Sequence, residues 1–341
     1  MSAFLQVVEP GPLVTVQDRG RPGWQRIGVT PAGAIDPISF AAANALVGNP
    51  LDAAALEFTL IGGVYAVEGG PLRLAVVGPA FPVAIDGAPI PALTSFLLHP
   101  GQKLRIGSAS AGAVGGARGY LAALGGIATP PVLGSRSTHV RSGFGGLDGR
   151  ALRAGDRLPI APAAIEGAEM KLDPALLPTA PARTRVILGP QDDYFTAQGI
   201  DSFLTADFTV STDADRMGYR LTGPVVEHRD GFNIVSDGVG IGAIQVPGNG
   251  QPIVLLADRQ STGGYPKIAG VISVDLAFLA QKRPGDVVRF EAIGMQAAQA
   301  LARERAAFLK SLPTLVKPAV VLSPSAEDLL SVNLISGMVA G

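Results

Sequence analysis

Glycine and proline interrupt this chain so often that its apolar residues fall into short runs. The sequence has 44 Gly and 28 Pro among 341 residues, and they separate runs such as LRLAVVG and PIVLLAD. Both residues favour turns and weaken long helices, so their frequent occurrence between apolar runs predicts a mainly β fold with few helices. The predicted strands are Leu5–Val8, Val14–Gln17, Leu72–Val77, Val83–Ile85, Ser95–Leu98, Lys103–Ile106, Arg185–Leu188, Phe208–Val210, Ile253–Ala257 and Val287–Phe290.

Two segments carry helix signals instead. Residues 36–47 start with Asp36 as a side-chain cap and Pro37 at the first helical position, and Gly48 follows as a stop. Residues 295–311 have apolar side chains at helical spacing. We expect one helix in each segment.

The length exceeds that of a usual single domain, which predicts two lobes. Residues 161–184 are rich in Ala and Pro and are typical of a linker or surface crossover. The expected organisation is an N-terminal β lobe over residues 1–160, this crossover, a C-terminal β lobe over residues 185–311 and a tail over residues 312–341.

Composition narrows the possible partners. The net charge is −1 and charged residues make up 16% of the chain, so no basic face is expected for nucleic-acid phosphates. No uninterrupted apolar run reaches the roughly 18 residues that a membrane-spanning helix needs. There is no Cys and no signal-peptide pattern at the start. We therefore expect a cytoplasmic protein that binds neither nucleic acid nor membrane.

Several familiar catalytic signatures are absent from the sequence. The histidines His99, His139 and His228 are scattered and no Cys accompanies them, so no metal site is expected. The sequence has no GxxxxGK[ST] loop for ATP and no GxSxG elbow for a nucleophilic serine. Any site must be built from other residues.

Polar residues concentrate in LLADRQSTGGYPKIAGVI, residues 255–272, where an apolar strand runs into a turn. A plain hairpin turn would explain the two glycines, which permit a sharp bend. It would not require an acid, amides, hydroxyls and a lysine beside them, so this stretch is the first candidate site. Its candidate residues are Asp258, Gln260, Thr262, Gly263, Gly264, Tyr265 and Lys267, with Gln245 at the end of a preceding strand.

Three further segments carry arginines or hydroxyls suited to an anionic ligand. Each has a structural alternative, namely a solvated surface loop, a long hairpin loop or a segment with core tyrosine. The candidates are Gln17, Asp18, Arg19, Arg21, Gln25 and Arg26 in residues 16–36, Ser135, Arg136, Ser137, Thr138 and Arg141 in residues 134–150, and Arg216, Tyr219 and Arg220 in residues 213–224.

These segments occur in the order seen in one known family. The blocks are VQDRGRPGWQRIGVTPAGAIDPISFAAANALVGNP, ALEFTLIGG, LGSRSTHVRSGFGGLDGRALRAGDRL, RMGYRLTGP and GAIQVPGNGQPIVLLADRQSTGGYPKIAGVI. On these blocks the chain resembles the biotin-dependent carboxyltransferase family, which includes proteins called allophanate hydrolase subunit 2 and KipA. The resemblance covers about residues 5–310.

The resemblance carries structural and biochemical expectations. It implies two lobes, each a cyclophilin-like β-barrel. It implies a KipI-type B subunit as partner, in a heterodimer or heterotetramer, and a third, A-type subunit of an oxoprolinase. ATP would be used by the assembled complex at a site that the sequence does not locate. The chain has no biotin-carrier motif, so no biotin is expected to be attached to it.

Three functions remain open on this resemblance. The first is the C subunit of an ATP-dependent 5-oxoprolinase, a hydrolase that opens a small cyclic amide, 5-oxoproline, to glutamate. The second is carboxyl transfer to urea or a related amide, and the third is a non-enzymatic KipA-type regulator that binds a KipI-type kinase inhibitor. For an enzyme, we expect catalytic roles for Asp258, Lys267, Gln260 and Tyr265, and substrate binding by Gln17, Arg19, Arg136, Ser137, Gln245, Thr262, Gly263 and Gly264.

Overall fold

A computed structural model of the chain, describing residues 3–109 and 116–319, is built mainly from strands that form two lobes. The mainly β fold with few helices is therefore confirmed. The lobe boundaries expected from the sequence stay a prediction. Most of the expected tail, from residue 320 onward, lies outside the described residues.

The N-terminal lobe contains two antiparallel sheets around one apolar core. The sheet orders are β11-β1-β4-β9-β6-β7 and β2-β3-β10-β5-β8. Buried residues such as Phe58, Leu74, Phe96 and Leu104 fill the space between the sheets. The strands are β1 (Phe4–Pro10), β2 (Val14–Gln17), β3 (Ala55–Thr59), β4 (Ile61–Glu68), β5 (Leu72–Val77), β6 (Val83–Ile85), β7 (Ala88–Pro89), β8 (Ser95–Leu98), β9 (Leu104–Ser108), β10 (Arg118–Ala123) and β11 (Arg157–Pro159).

The C-terminal lobe is built on one eight-stranded sheet with the order β21-β14-β15-β18-β17-β20-β13-β22. Its own core includes Phe203, Phe208, Val254 and Phe290. Strand β12 (Met170–Lys171) precedes this lobe. The strands that follow are β13 (Thr184–Leu188), β14 (Phe208–Ala214), β15 (Gly218–Thr222), β16 (Asp237–Gly238), β17 (Ala243–Gln245), β18 (Ile253–Leu255), β19 (Thr262–Gly263), β20 (Lys267–Val271), β21 (Val287–Val288) and β22 (Phe290–Ala292).

Four α-helices accompany the strands in the described part of the chain: α1 (Pro37–Val47), α2 (Ala197–Thr205), α3 (Leu276–Leu279) and α4 (Met295–Leu315). The signals for α1 are confirmed, since the Asp36 carboxylate accepts hydrogen bonds from the amides of Ile38 and Ser39, and Gly48 has a left-handed φ of 83°. Short 3-10 turns cover Gln25–Ile27, Val140–Ser142, Pro174–Leu176 and Asp192–Tyr194.

Helix α4 connects the two lobes. Near its start Ala298 packs with Ile272 and Val274 of the C-terminal lobe. Near its end Leu312 packs with α1, in the N-terminal lobe. The helix runs beyond the segment that its sequence pattern predicted, to Leu315, and the strand β23 (Lys317–Pro318) then pairs with β12.

The crossover segment, residues 161–184, runs mostly over the surface. Arg73 holds it to the N-terminal lobe, because its guanidinium donates to the carbonyls of Glu166 and Gly167, each at 2.7 Å. Within the described ranges, we find no helix with the length and apolar character needed to cross a membrane.

Candidate functional site

The polar turn, residues 258–267, follows strand β18 and divides into two parts with different surroundings. Asp258 and Arg259 are buried where the two lobes meet. Residues from Gln260 onward lie on the C-terminal lobe, and Gln260 and Tyr265 are exposed. The turn therefore begins with two buried residues at the lobe junction and continues with residues that solvent can reach.

A buried ion cluster, which we call the junction cluster, anchors the first part. Arg216 donates to both carboxylate oxygens of Asp258, at 2.9 Å each. The same guanidinium donates through Nη1 to Glu57 of β3 in the other lobe, and through Nη2 to the carbonyl of Gly33 at 2.8 Å. One arginine thus joins a carboxylate from each lobe.

Glu57 has further partners that keep it ionised. Tyr120 Oη donates to its Oε2 at 2.7 Å, the amide of Ile35 donates at 3.0 Å, and Arg118 lies 3.6 Å from Oε1. Burial alone would raise the pKa of Glu57, but the guanidiniums of Arg216 and Arg118 outweigh it, so that the pKa lies below its usual value. The carboxylate is a charged, fully engaged structural group.

This geometry bears on the expected catalytic role of Asp258. Both of its oxygens are engaged by Arg216, and the side chain is buried. A carboxylate with both oxygens held in charge-assisted bonds to one guanidinium has little hydrogen-bonding capacity left for a substrate. We therefore favour a positioning role for Asp258, in which the ion pair fixes the start of the polar turn.

Arg259 ties the turn to the N-terminal lobe without help from a carboxylate. It donates to Gln25 Oε1 at 2.8 Å and to the carbonyls of Val239 at 3.0 Å and Leu256 at 3.4 Å. Burial lowers its pKa to about 10. Gln25 also donates to the Val239 carbonyl, at 2.7 Å, so the two lobes share one acceptor.

In the N-terminal lobe, Asp18 organises the loop that carries two of the predicted substrate-binding residues. Its carboxylate accepts from the hydroxyls of Ser135 at 2.6 Å and Ser137 at 2.5 Å, and from the amide of Arg136 at 2.6 Å. Ser137 is fully buried in this arrangement. These bonds fix the loop and leave Ser137 no surface to offer a ligand.

The other predicted substrate-binding residues of the N-terminal lobe lie in three different environments. Gln17 is buried and bonds Thr15, the carbonyl of Thr138 and the amide of Gly33. Arg136 is half-buried and its Nε donates to the carbonyl of Thr129 at 2.8 Å. Arg19 is exposed, 3.7 Å from Asp52. Among the described residues, no hydrogen bond or ion pair joins Gln17, Arg19, Arg136 or Ser137 to Gln245, Gln260 or Lys267.

The second part of the turn contributes Lys267 and Gln260 to what we call the lysine cluster, and neighbouring segments contribute Asp237, Gln191 and Gln245. Lys267 Nζ lies 2.8 Å from Asp237 Oδ2, and the lysine side chain is 4% exposed whereas that of Asp237 is 56% exposed. Hydrogen bonds from Lys267 and from the Gly238 amide, with the nearby ammonium charge, hold the pKa of Asp237 below its usual value.

Two amide side chains complete this cluster, because Gln245 of β17 pairs in register with Lys267 of β20 and Gln260 bonds Gln245. Gln245 is buried; its Oε1 accepts from Gln260 Nε2 at 3.4 Å and its Nε2 donates to the carbonyl of Tyr265 at 3.4 Å. Hydrogen bonds of this length are weak. The amide groups are therefore available for better partners, and with the Lys267 ammonium they offer donors to a small carbonyl-bearing or anionic molecule.

The segment 224–242 lies against the accessible part of the turn. It contains one short strand, β16, whose Asp237 and Gly238 pair with Gly263 and Thr262. Backbone bonds from Ile234 to Gly264 and from Val239 to Ser261 extend this contact. Several apolar side chains around it are exposed: Val225, Phe232, Val235, Ile241 and Tyr265.

The described residues hold no group of three or more His, Cys, Asp or Glu side chains able to bind a metal ion. His228 Nε2 lies 3.0 Å from the carbonyl of Val246, and its ring packs on Phe195. His139 caps a 3-10 turn by accepting from the amide of Ser142. The chemistry that this site offers is hydrogen bonding and charge.

Sequence reasoning overlooked Glu57 and Asp237 and gave Asp18 no specific role. A carboxylate in the apolar run ALEFTL is a signal for a buried ion pair, since an unpaired charge is rarely buried. Asp237 stands in SDG, which is typical of an ordinary turn, and nothing in its neighbourhood along the chain indicates Lys267 as its partner.

The close approach of Gly263 to Gln245 gives a testable prediction. A Cβ at residue 263 would collide with Gln245 Nε2. We expect Gly263→Ala to displace this amide and to weaken the binding of a small carbonyl-bearing ligand about tenfold, roughly the contribution of one hydrogen bond. Gly270→Ala, on β20 of the same lobe, is the matched control because no atom lies within 4 Å of its added Cβ. Equal ligand affinity of the two variants, measured by calorimetry, would contradict the assignment of Gln245 to the site.

The chain as a whole is similar to several known proteins. A family model described as carboxyltransferase domain, subdomain A and B, matches residues 27–292. The chain is 34% identical over 315 residues to the C subunit of 5-oxoprolinase from Haemophilus influenzae, covering 92% of this chain and 99% of that one. It is 35% identical over 311 residues to the 5-oxoprolinase C subunit of Escherichia coli, covering 91% and 97%.

A solved structure extends the comparison to three dimensions. The crystal structure of K. lactis urea amidolyase matches with a TM-score of 0.83 and 30% identity over 95% of this chain. This chain corresponds to 20% of that much longer protein. The likeness therefore concerns one region of the urea amidolyase.

Proposed function

The chain belongs to the carboxyltransferase domain family, and from this premise we propose that it is the C subunit of an ATP-dependent 5-oxoprolinase. The observation that carries the proposal is the match to two 5-oxoprolinase C subunits over more than 90% of this chain and nearly all of each relative. In this proposal the chain acts with an A-type and a KipI-type B subunit and opens 5-oxoproline to glutamate.

The reaction explains why a donor-rich cluster is useful. An amide carbonyl is a poor electrophile, and transfer of the terminal phosphoryl group of ATP to its oxygen, with release of ADP, makes attack by water feasible. Attack of one water on the carbon breaks the ring C–N bond and leaves an acyl phosphate, and a second water releases phosphate and glutamate. This chain's contribution is to orient the ring and to hold its charges. In our proposal Gln245 and Gln260 hydrogen-bond the lactam, and Lys267 pairs with an anionic group of the substrate.

The remaining candidate residues receive supporting roles in the proposal. Tyr265 and Thr262 form the exposed edge of the lysine cluster, while Gly263 and Gly264 allow the backbone to pass close to it. The N-terminal-lobe residues Gln17 and Ser137 fix loops through their buried bonds. Arg19 and Arg136 stay candidates for contact with substrate or phosphate.

A second candidate function is carboxyl transfer to urea or a related amide. The specific observation in its favour is the family description together with the structural match to urea amidolyase. The same amide and ammonium donors would then hold the acceptor amide. This reaction would need a separate biotin-carrier protein to supply the carboxyl group.

The decisive experiment is reconstitution of the complex. The chain is combined with its A-type and B-type partners, 5-oxoproline and ATP, and glutamate is measured. We expect glutamate only when all three proteins and ATP are present. No glutamate from a properly assembled complex would refute the proposal.

The same preparation separates the alternatives. Transfer of carboxyl from a carboxylated biotin carrier to urea would support the second function. A stable complex with a KipI-type protein that performs neither reaction would support a regulator of KipA type.

A further inference from the structure

We propose that Asp237 is an internal ligand of Lys267, and that the carboxylate of the substrate displaces it. The inference rests on the proposed function for its substrate, and it names the substrate class: a small molecule that presents a carboxylate. Asp237 is then a specificity-determining residue, because any ligand that binds Lys267 has to compete with it.

The first observation is the unequal burial of the pair. Lys267 Nζ lies 2.8 Å from Asp237 Oδ2, and the lysine is 4% exposed against 56% for the aspartate. A buried ammonium requires an anionic or polar partner, whereas an exposed carboxylate is readily satisfied by water. Exchange of the aspartate for another carboxylate therefore leaves neither group unpaired.

The second observation is that the cluster already binds a carboxylate. The Asp237 carboxylate accepts a hydrogen bond from the Lys267 ammonium at 2.8 Å. Gln191 Oε1 accepts from the backbone amide of Lys267 at 3.1 Å, so an amide side chain lies next to this residue. An ammonium and a neighbouring amide form a carboxylate-binding pair, and Asp237 shows where the ligand's carboxylate would lie.

The third observation is how lightly Asp237 is held by its own segment. The backbone of residues 235–238 bonds the turn through the two-residue strand β16, whereas Val239 beyond them is buried and its carbonyl accepts from Arg259 and Gln25. Residues 235–238 are exposed. Segments with few buried contacts open at low free-energy cost, so Asp237 can leave Lys267 without unfolding of the lobe.

The fourth observation is the position of the amides. Gln245 and Gln260 share a weak bond of 3.4 Å beside Gly263, whose missing side chain leaves room for Gln245. A ligand whose carboxylate took the place of Asp237 could present its amide to these two side chains. The cluster thus has separate groups for a carboxylate and for an amide, as in a carboxylated lactam.

Asp237→Asn tests this inference in the assembled complex. Asparagine keeps the size of the side chain but removes the charge that competes for Lys267. While Asp237 pairs with Lys267, the substrate can bind only to the fraction of molecules in which the lysine is free. Removing Asp237 therefore raises the apparent affinity for the substrate by the inverse of that fraction. We expect the KM for 5-oxoproline to fall about three- to tenfold.

Asp230→Asn is the matched control, since Asp230 is an exposed acid of the same segment that makes no hydrogen bond or ion pair among the described residues. It removes the same charge without touching Lys267, and its KM is expected to stay within about twofold of wild type because exposed charges are screened. An unchanged or raised KM in Asp237→Asn would overturn the inference, because a residue that merely positions Lys267 would weaken binding when altered.

A second measurement does not depend on the reaction. The chain is treated with an amine-acetylating reagent, and the modification rate of Lys267 is followed by peptide mass spectrometry. We expect faster modification in Asp237→Asn than in wild type or Asp230→Asn, because loss of the carboxylate frees the amine. Equal rates would overturn the inference even if the complex hydrolyses 5-oxoproline. Conversely, absence of hydrolysis by the wild-type complex would refute the proposed function, whereas the acetylation rates would still test whether Asp237 occupies Lys267.

Discussion

Replacing Arg216 with alanine is expected to destabilise the protein by about 3–5 kcal/mol, the usual cost of removing one partner from a buried ion pair. Arg216 bridges Glu57 of one lobe and Asp258 of the other, and all three side chains are buried. Its loss leaves two carboxylates away from water without their main partner. It also removes the bond that fixes the start of the polar turn, so catalysis should fall with stability.

The stability change is measured by chemical denaturation and calorimetry at neutral pH. Arg220→Ala is the matched control, because Arg220 lies four residues further on and is exposed on β15. Its substitution should change the stability by less than about 0.5 kcal/mol. A comparably small change for Arg216→Ala would show that the junction cluster does not hold the lobes together.

The pH dependence of this variant has a defined sign. In the wild type the pKa of Glu57 lies below its usual value of 4.5, so its stabilisation is present above that value and is lost as pH falls through the folded pKa. Without Arg216, Arg118 is the only guanidinium left to oppose burial, so we expect the pKa of Glu57 to rise. The buried carboxyl then takes up a proton more easily, and the stability gap between variant and wild type should be narrower at pH 5 than at pH 7.

Replacing Lys267 with methionine is expected to lower kcat/KM for 5-oxoproline about 100-fold, the upper part of the usual effect of a charge-assisted hydrogen bond. Methionine fills a similar buried volume but cannot pair with an anion. The only ion-pair partner of Lys267 in the described structure is Asp237, which is exposed and can be hydrated once released. The unfolding temperature should therefore stay close to that of wild type, unlike that of Arg216→Ala.

Steady-state kinetics of the assembled complex measure this effect. Lys310→Met, on the exposed side of α4, is the control for loss of a positive charge. Most of the loss should appear in KM if the lysine binds the substrate's carboxylate. Full activity of Lys267→Met would show that the lysine cluster is not part of the site. A large loss of stability would show that Lys267 mainly supports the fold.

Local signals in the sequence located much of the fold. The helix α1 begins and ends where its cap, proline and glycine predict, and strands such as Leu72–Val77 match their apolar runs. The sequence did not indicate strands β3 and β4, because only Leu60 separates them, and its left-handed φ of 63° passes the chain from one sheet to the other without glycine or proline. Strand β10 was missed because it is buried on both faces and has no alternating pattern.

The site was less predictable, for a physical reason. Composition identified the polar turn as unusual, but the roles of its residues depend on partners that are distant in sequence. Arg216 and Glu57 are separated by 159 positions, and Lys267 and Asp237 by 30. Only the folded chain distinguishes Asp258, which is buried in the junction cluster, from Lys267, whose partner is exposed to solvent.

Helix α4 also constrains the order in which this protein can mature during synthesis. The face of α1 that it covers is made from residues near the start of the chain, whereas Leu312 and Val316 are among the last described residues to leave the ribosome. The N-terminal lobe therefore emerges with an apolar surface that stays uncovered until the C-terminal lobe has been translated. Truncation before residue 312 should leave that surface exposed and make the fragment prone to self-association.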